Sequence, residues 1–228
     1  MKSIKKFVAA MLALSIVMLC GCSTGKKPEN PEGKKVVYGF TFPTKLYNDI
    51  IIEDCYLYSG EYPEDGSFDA CENVAALEIK NNSEADIQLM RIEVTTNSKV
   101  MMFEVSSLLA GTTVIVLEKS KQTLAEDEKI LSIKCINRVD FAENVTLKED
   151  IFLVQGNTGT LNIKNVSEKK AESDIYVYYK KKDAEGKYFG GITFRAKADG
   201  LEPDEIKQLP ASCFEPNDSE VLFVDYAG

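Results

Sequence analysis

Four cysteines, one acidic turn and a tyrosine-bearing hairpin are the internal residues whose types and spacing offer chemistry. Cys55 and Cys71 flank a polar loop, and with Cys135 and Cys213 they form an even set with three alternative pairings. A bridge from Cys55 to Cys71 would add ~3 kcal/mol in the loop-entropy picture; the other reading is four reduced thiols. No C-x-x-C spacing occurs, which removes thioredoxin-like redox chemistry and the common cysteine zinc sites. Glu61-Tyr-Pro-Glu-Asp-Gly-Ser-Phe-Asp69, with Glu72, offers carboxylate oxygens. Asp65, Ser67 and Asp69 alternate like the start of a calcium loop, yet Gly66 is misplaced and no bidentate Glu closes the loop. Turn chemistry explains the same residues, and no metal or cofactor is expected. Tyr176, Tyr178 and Tyr188 form the last group. If Ile175, Val177 and Tyr179 face a core, Tyr176 and Tyr178 point outward. With Tyr188 beside them they make a candidate binding surface for a protein or glycan; ordinary cross-strand aromatic packing is the alternative.

What is missing narrows the chemistry further. The chain has no histidine and no tryptophan. Ser-His-Asp and Cys-His systems, His-ligated zinc and the commonest neutral-pH base are therefore absent. Acid pairs and Ser-Lys dyads would each need a constellation that the sequence does not display, so an enzyme is not expected.

These residues must be delivered and held in place, and the N-terminus speaks to delivery. Lys2, Lys5 and Lys6 precede an apolar run from Phe7 to Leu19, 13 residues long. That is the length of a signal-peptide core and too short to span a bilayer as a helix. Leu19-Cys20-Gly21-Cys22 then resembles the lipobox of bacterial lipoproteins. The resemblance implies cleavage after residue 21, a diacylated Cys22 and attachment to the extracytoplasmic face of a bacterial cell membrane. Acyl chains of this number anchor a soluble domain essentially permanently. Losing residues 1–21 removes three Lys and no acid, which leaves 24 basic against 36 acidic side chains. So acidic a surface disfavours nucleic acid. Residues 22–35 read as the lipidated cysteine and a flexible linker.

From Val36 onward the chain reads as strand after strand, with alternating runs such as Met90-Arg-Ile-Glu-Val94 and no sustained helical period. The fold class is all-β. The second half also repeats the first. Leu77-Glu-Ile-Lys-Asn-Asn-Ser-Glu84 matches Leu161-Asn-Ile-Lys-Asn-Val-Ser-Glu168 at six of eight positions, 84 residues on. Leu109 to Leu117 parallels Leu201 to Leu209 at an offset of 92. Asn81, Asn144, Asn165 and Asn217 each begin an Asn-x-Ser/Thr triplet, read as turn and strand-end hydrogen bonding. Residues 36–141 and 142–228 are thus expected to form two tandem β-sandwiches.

A strand ending in Lys-Asn-x-Ser, an alternating strand, Tyr-Tyr-x-x-x-Asp-x-x-Gly-Lys and Leu-x-Pro-Asp-Glu together resemble FxLYD-type and related immunoglobulin-like domains of bacterial envelope proteins. The match covers residues 159–226 and, more weakly, 75–136. It implies a non-catalytic interaction or spacer module of unknown ligand, and a protein or glycan of the envelope is the partner expected from the tyrosine surface. A carbohydrate- or small-ligand-binding lipoprotein serving a transporter or adhesin is the alternative. The first test concerns delivery: Cys22→Ala should abolish acylation, so that fractionation finds the protein released or its precursor unprocessed. A normally processed, membrane-bound variant would overturn the lipobox reading.

Overall fold

The computed structural model describes residues 35–227 except Asn48, and the lipidation site Cys22 lies outside that range. Fifteen strands are described. Val36 to Phe42, apolar enough to pass for a single strand, is a tight hairpin of β1 (Lys35–Val37) and β2 (Phe40–Phe42). Tyr38 and Gly39 turn it with φ of 49° and 72°, as a two-residue hairpin loop that follows the twist of its strands requires. The first sandwich continues with β3 (Thr44–Tyr47), β4 (Ile50–Glu61), β5 (Ala70–Asn81) and β6 (Ile87–Thr96). It closes with β7 (Val100–Leu108), β8 (Thr113–Leu117) and β9 (Ile130–Asp140). The second contains β10 (Phe152–Asn157), β11 (Thr160–Asn165) and β12 (Ala171–Lys182). β13 (Tyr188–Leu201), β14 (Ile206–Pro210) and β15 (Ser219–Tyr226) complete it.

Alternation decides which side of each strand is buried. Met90, Ile92 and Val94 of β6 are buried while Arg91 between them is exposed, and Ile175, Val177 and Tyr179 of β12 are buried in the same rhythm. In the first half, β3-β4-β5-β8 packs on β7-β6-β9 through Ile52, Leu77, Met90, Ile92 and Phe103. In the second, β10-β11-β14 packs on β15-β12-β13 through Leu161, Ile163, Ile175, Val177 and Phe214. Each half is therefore a pair of facing sheets over its own core, with matching strand order. The two halves are also hydrogen-bonded to each other. β13 runs parallel to β8, with Tyr188 opposite Val114 and Phe189 opposite Ile115, so one seven-stranded sheet crosses from half to half.

The repeated Asn-x-Ser is the clearest imprint of the duplication. Asn81 and Asn165 are both fully buried. Asn81 Nδ2 donates to the carbonyls of Ala85 and Leu108, and its Oδ1 accepts from Ser83 N and Oγ. Asn165 repeats the set with Lys169, Leu201 and Ser167. Because Leu108 plays the part of Leu201, the second block is offset by 93 residues and not by 92. β10 starts only at Phe152, because a turn on the Lys148 carbonyl occupies the residues just before it.

A buried carboxylate clamps one end of the first sandwich. Glu128, only 4% exposed, accepts from Thr96 Oγ1, Ser98 Oγ and the Ala125 amide, and pairs with Lys99 at 3.0 Å. Burial opposes its charge, but these donors outweigh that cost and hold its pKa at about 2. A carboxylate with a folded pKa below its unfolded value contributes stability above the unfolded pKa and loses it as pH falls through the folded one. Glu128 should contribute about 2–3 kcal/mol at neutral pH, lost between about pH 4.5 and pH 2. Urea titrations across that window should show a shallower acid loss for Glu128→Gln than for the wild type.

Candidate functional site

Between the two halves β13 departs from its ladder. From the pair Tyr179–Phe194 to the pair Lys181–Phe189, β12 advances two residues while β13 advances five. The stretch between those pairs, Gly190–Thr193 opposite Lys180 alone, bulges toward the first sandwich, and its backbone groups need partners elsewhere. Lys180 supplies them. It is 1% exposed, and its Nζ donates to the carbonyls of Gly190, Gly191 and Ile192 at 3.0, 3.0 and 2.7 Å. Glu64 of the acidic turn accepts from the amides of Gly191 and Leu117. Ser106 Oγ donates to the Gly191 carbonyl, and Thr193 Oγ1 donates back to the Ser106 carbonyl. A Cβ on Gly191 would sit 1.9 Å from the Glu104 carbonyl oxygen, so only glycine permits this approach.

The ionisations follow from the geometry. Desolvation pushes Lys180 down, with the Glu64 charge acting against it. Desolvation raises Glu64, opposed by its amide donors and by Lys180. Displaced pKa values of this kind accompany catalysis in many enzymes. Here both groups are saturated by backbone partners, and the cavity beside Glu64 measures about 60 Å³, room for water and not for a substrate. The pair is a joint.

Adjacent to that joint lies an open groove of about 660 Å³. Its aromatic wall is Tyr178, stacked on Phe223 at 4.4 Å between ring centroids, with Phe141 edge-on to Phe223 at 5.4 Å. Its rim includes Gln88, Ser107, Thr146 and Asp225. The connector after β9 holds one side: Asp86 accepts from the amides of Ala110 and Val145, and Asn144 bonds the backbone of Asp86 and Glu84. The Val224 amide donates to the Thr146 carbonyl, which ties the connector to β15.

The tyrosines expected on one surface part company. Tyr178 is half-buried against Phe223 and lines the groove. Tyr176 is half-buried, under the Arg195 guanidinium at 5.1 Å with its hydroxyl donating to Asp174. Tyr188 is 7% exposed and packs into the core, where burial and the Glu220 carboxylate raise its phenol pKa. The bridge considered for Cys55 and Cys71 does not form; both are free and buried, as Cys135 and Cys213 are free. Cys55 lies opposite Leu77 and Cys71 opposite Gly60 on the β4–β5 ladder. Leu77 and Cys71 are six residues apart, roughly 20 Å along a strand, far beyond disulfide reach. Burial pushes the Cys55 thiol up to about 12, which makes it an inert core residue. In the acidic turn, Asp65 accepts from Ser67 N and Oγ, the turn chemistry expected there.

Lys180, Gly190 and Gly191 went unread as site-forming residues. The paired glycines inside a strand were the available signal, since such glycines mark bulges and close backbone approach. Gln88 and Ser107 gave no signal in isolation.

The fold and groove define an all-β protein of two joined sandwiches with a cleft between them. No family model matches the chain, and no curated protein matches it. Among solved structures, it is similar to a calcium-binding mutant of Bacteroides uniformis beta-glucuronidase 2 at 12% identity and a TM-score of 0.16. That alignment covers 80% of this chain and 28% of the enzyme, and at such a score it carries no argument.

Lys180→Met would leave three buried carbonyls without their donor, a loss of at least about 1–3 kcal/mol by the cost of an unsatisfied buried acceptor. Urea unfolding should show that drop, and a variant as stable as the wild type would refute the joint.

Proposed function

We propose that this chain is a lipid-anchored protein of the extracytoplasmic face of a bacterial membrane that binds an envelope partner without catalysis. The observation that carries this reading is the groove. It is concave and of ligand-site size, with an aromatic wall and a rim of polar side chains, and sites of that description are where proteins hold small molecules or projecting segments of larger ones. The lipobox and the polar tether after Cys22 support the location, since they hold the sandwiches near a membrane while leaving them free to reach outward. The lack of histidine, and the engagement of Glu64 and Lys180 by backbone groups, support a binding role over a catalytic one.

Hydrogen exchange on the acylated protein, with and without solubilised envelope, tests this directly. Amides at 86–90, 105–108 and 141–146 should slow when envelope is added. Protection confined to the exposed residues of β9, such as Leu131 and Ile136, would move the binding surface to that strand. No change anywhere would reject the binding role.

A further inference from the structure

Four polar groups on the groove wall are left over by the fold. The Gln88 amide and the hydroxyls of Ser107, Thr146 and Tyr178 have no hydrogen-bond partner among the described residues, and all four line the groove. Two of them sit where the sheet has been opened. β6 pairs with β7 at Ile87–Leu108 and at Leu89–Ser106, but the rung between, Gln88 with Ser107, is skipped. The β6–β9 ladder also shifts register between Ile87 and Leu89. Ser107 is 5% exposed and holds φ at 51°, a left-handed backbone that a non-glycine residue adopts at a cost. The second sandwich repeats it: Gly200, the equivalent position at the 93-residue offset, holds φ at 43° and is likewise skipped in the β12–β13 pairing. In the first half the same position carries a side chain, and its hydroxyl, without a partner among the described residues, lines the groove beside the exposed Gln88 amide. Where the second half carries glycine, the first carries a serine that bears the cost of the left-handed backbone.

The chemistry of the four groups is specific. Each is neutral, and each combines donor with acceptor capacity. The charged side chains of the rim are Glu143, Asp225 and Lys148, one cation against two acids, on a protein already strongly acidic. An anion would meet repulsion there. A sugar ring satisfies the remaining demands: adjacent hydroxyls that both give and accept, and an apolar face for the Tyr178–Phe223 stack. We infer that the groove binds a neutral polyhydroxylated ligand, one or a few sugar units of an envelope glycan. This rests on the groove being the binding site proposed above.

The test uses the mature acylated protein in zwitterionic detergent, titrated with neutral hexose and N-acetylhexosamine tetrasaccharides and with a galacturonate tetramer as the acidic probe. At least one neutral tetrasaccharide should bind with saturation transfer to its ring protons, and the galacturonate should bind at least ten-fold more weakly. Ser107→Gly removes the hydroxyl while suiting the left-handed backbone, so it should keep or raise Tm and weaken binding by at least ten-fold. Gln88→Ala, at an exposed position, should weaken binding similarly with Tm unchanged. Failure of every neutral probe, preference for galacturonate, or wild-type binding by both variants would overturn the inference. Groove amides that still slow with envelope while the saccharides fail would leave the binding role standing and reject only the sugar. Loss of both responses would reject both.

Discussion

A strand that leaves its ladder inside a protein must find new partners for the backbone groups it abandons, and β13 does so at Gly190–Ile192. Three carbonyls leave the β12 backbone ladder and converge instead on a side chain of that same strand, the ammonium of Lys180. Three acceptors match the three donors of a lysine head. The same bulge brings the Gly191 amide to Glu64 and its carbonyl to Ser106, both in the first sandwich. The hydrogen bonding of one bulge is thus completed across the junction. A ladder without the bulge would keep β13 inside its own half, and the β8–β13 pairing would lose its approach. Apolar burial stabilises each sandwich, while this polar knot specifies how one sits on the other. Buried polar groups are costly when half-satisfied and directional when fully satisfied, which is why they fix geometry better than greasy contact does.

Duplication explains what the halves share, and the knot explains where they differ. Asn81 and Asn165 serve the same purpose, each tying the end of a strand to the next turn and to the facing sheet. Both are fully buried with every side-chain polar function engaged, so the motif can be repeated without penalty. The strands that carry the copies follow the same order in each half. At the bulge the equivalence ends. In the first half β7 keeps its pairing to β6 over most of its length, whereas in the second half the corresponding β13 gives up four residues to the junction.

Much of the fold was legible because strands buried on one side must alternate, and because Lys-Asn-x-Ser recurs with its neighbours in order. What was misread is local. Val36 to Phe42 looks like one strand because its apolar content hides the turn at Tyr38 and Gly39. The 92-residue offset erred by one because leucines at 108 and 109 compete for the same alignment, and only hydrogen bonding by the asparagine separates them. The site was less legible. Alternation correctly turned Tyr176 and Tyr178 away from the core of their own sandwich. It could not show that Tyr178 meets Phe223 and packs against the other core, because that depends on the β15 register and on the junction. Tyr188 looked exposed for the same reason: its cover is Val114 and its neighbours, more than 70 residues earlier in the chain.

The groove follows from the joint as a matter of geometry. The halves meet through the joint, the β8–β13 pairing and the tie from Thr146 to Val224, and the groove is the space left beside these contacts. Thr193 shows how directly the two are linked, since it is bonded to Ser106 in the joint and also lines the groove. One residue further along β7, Ser107 adopts the left-handed backbone that opens the rung to Gln88. The hydrogen bonds that fix the two halves are therefore one residue removed from the groups left free for a ligand. A ligand held by Ser107, Gln88 and Tyr178 would touch β7 and β6 of one half and β12 of the other. Its binding energy would add to that of the knot, so occupancy and the rigidity of the junction are coupled through the same three strands.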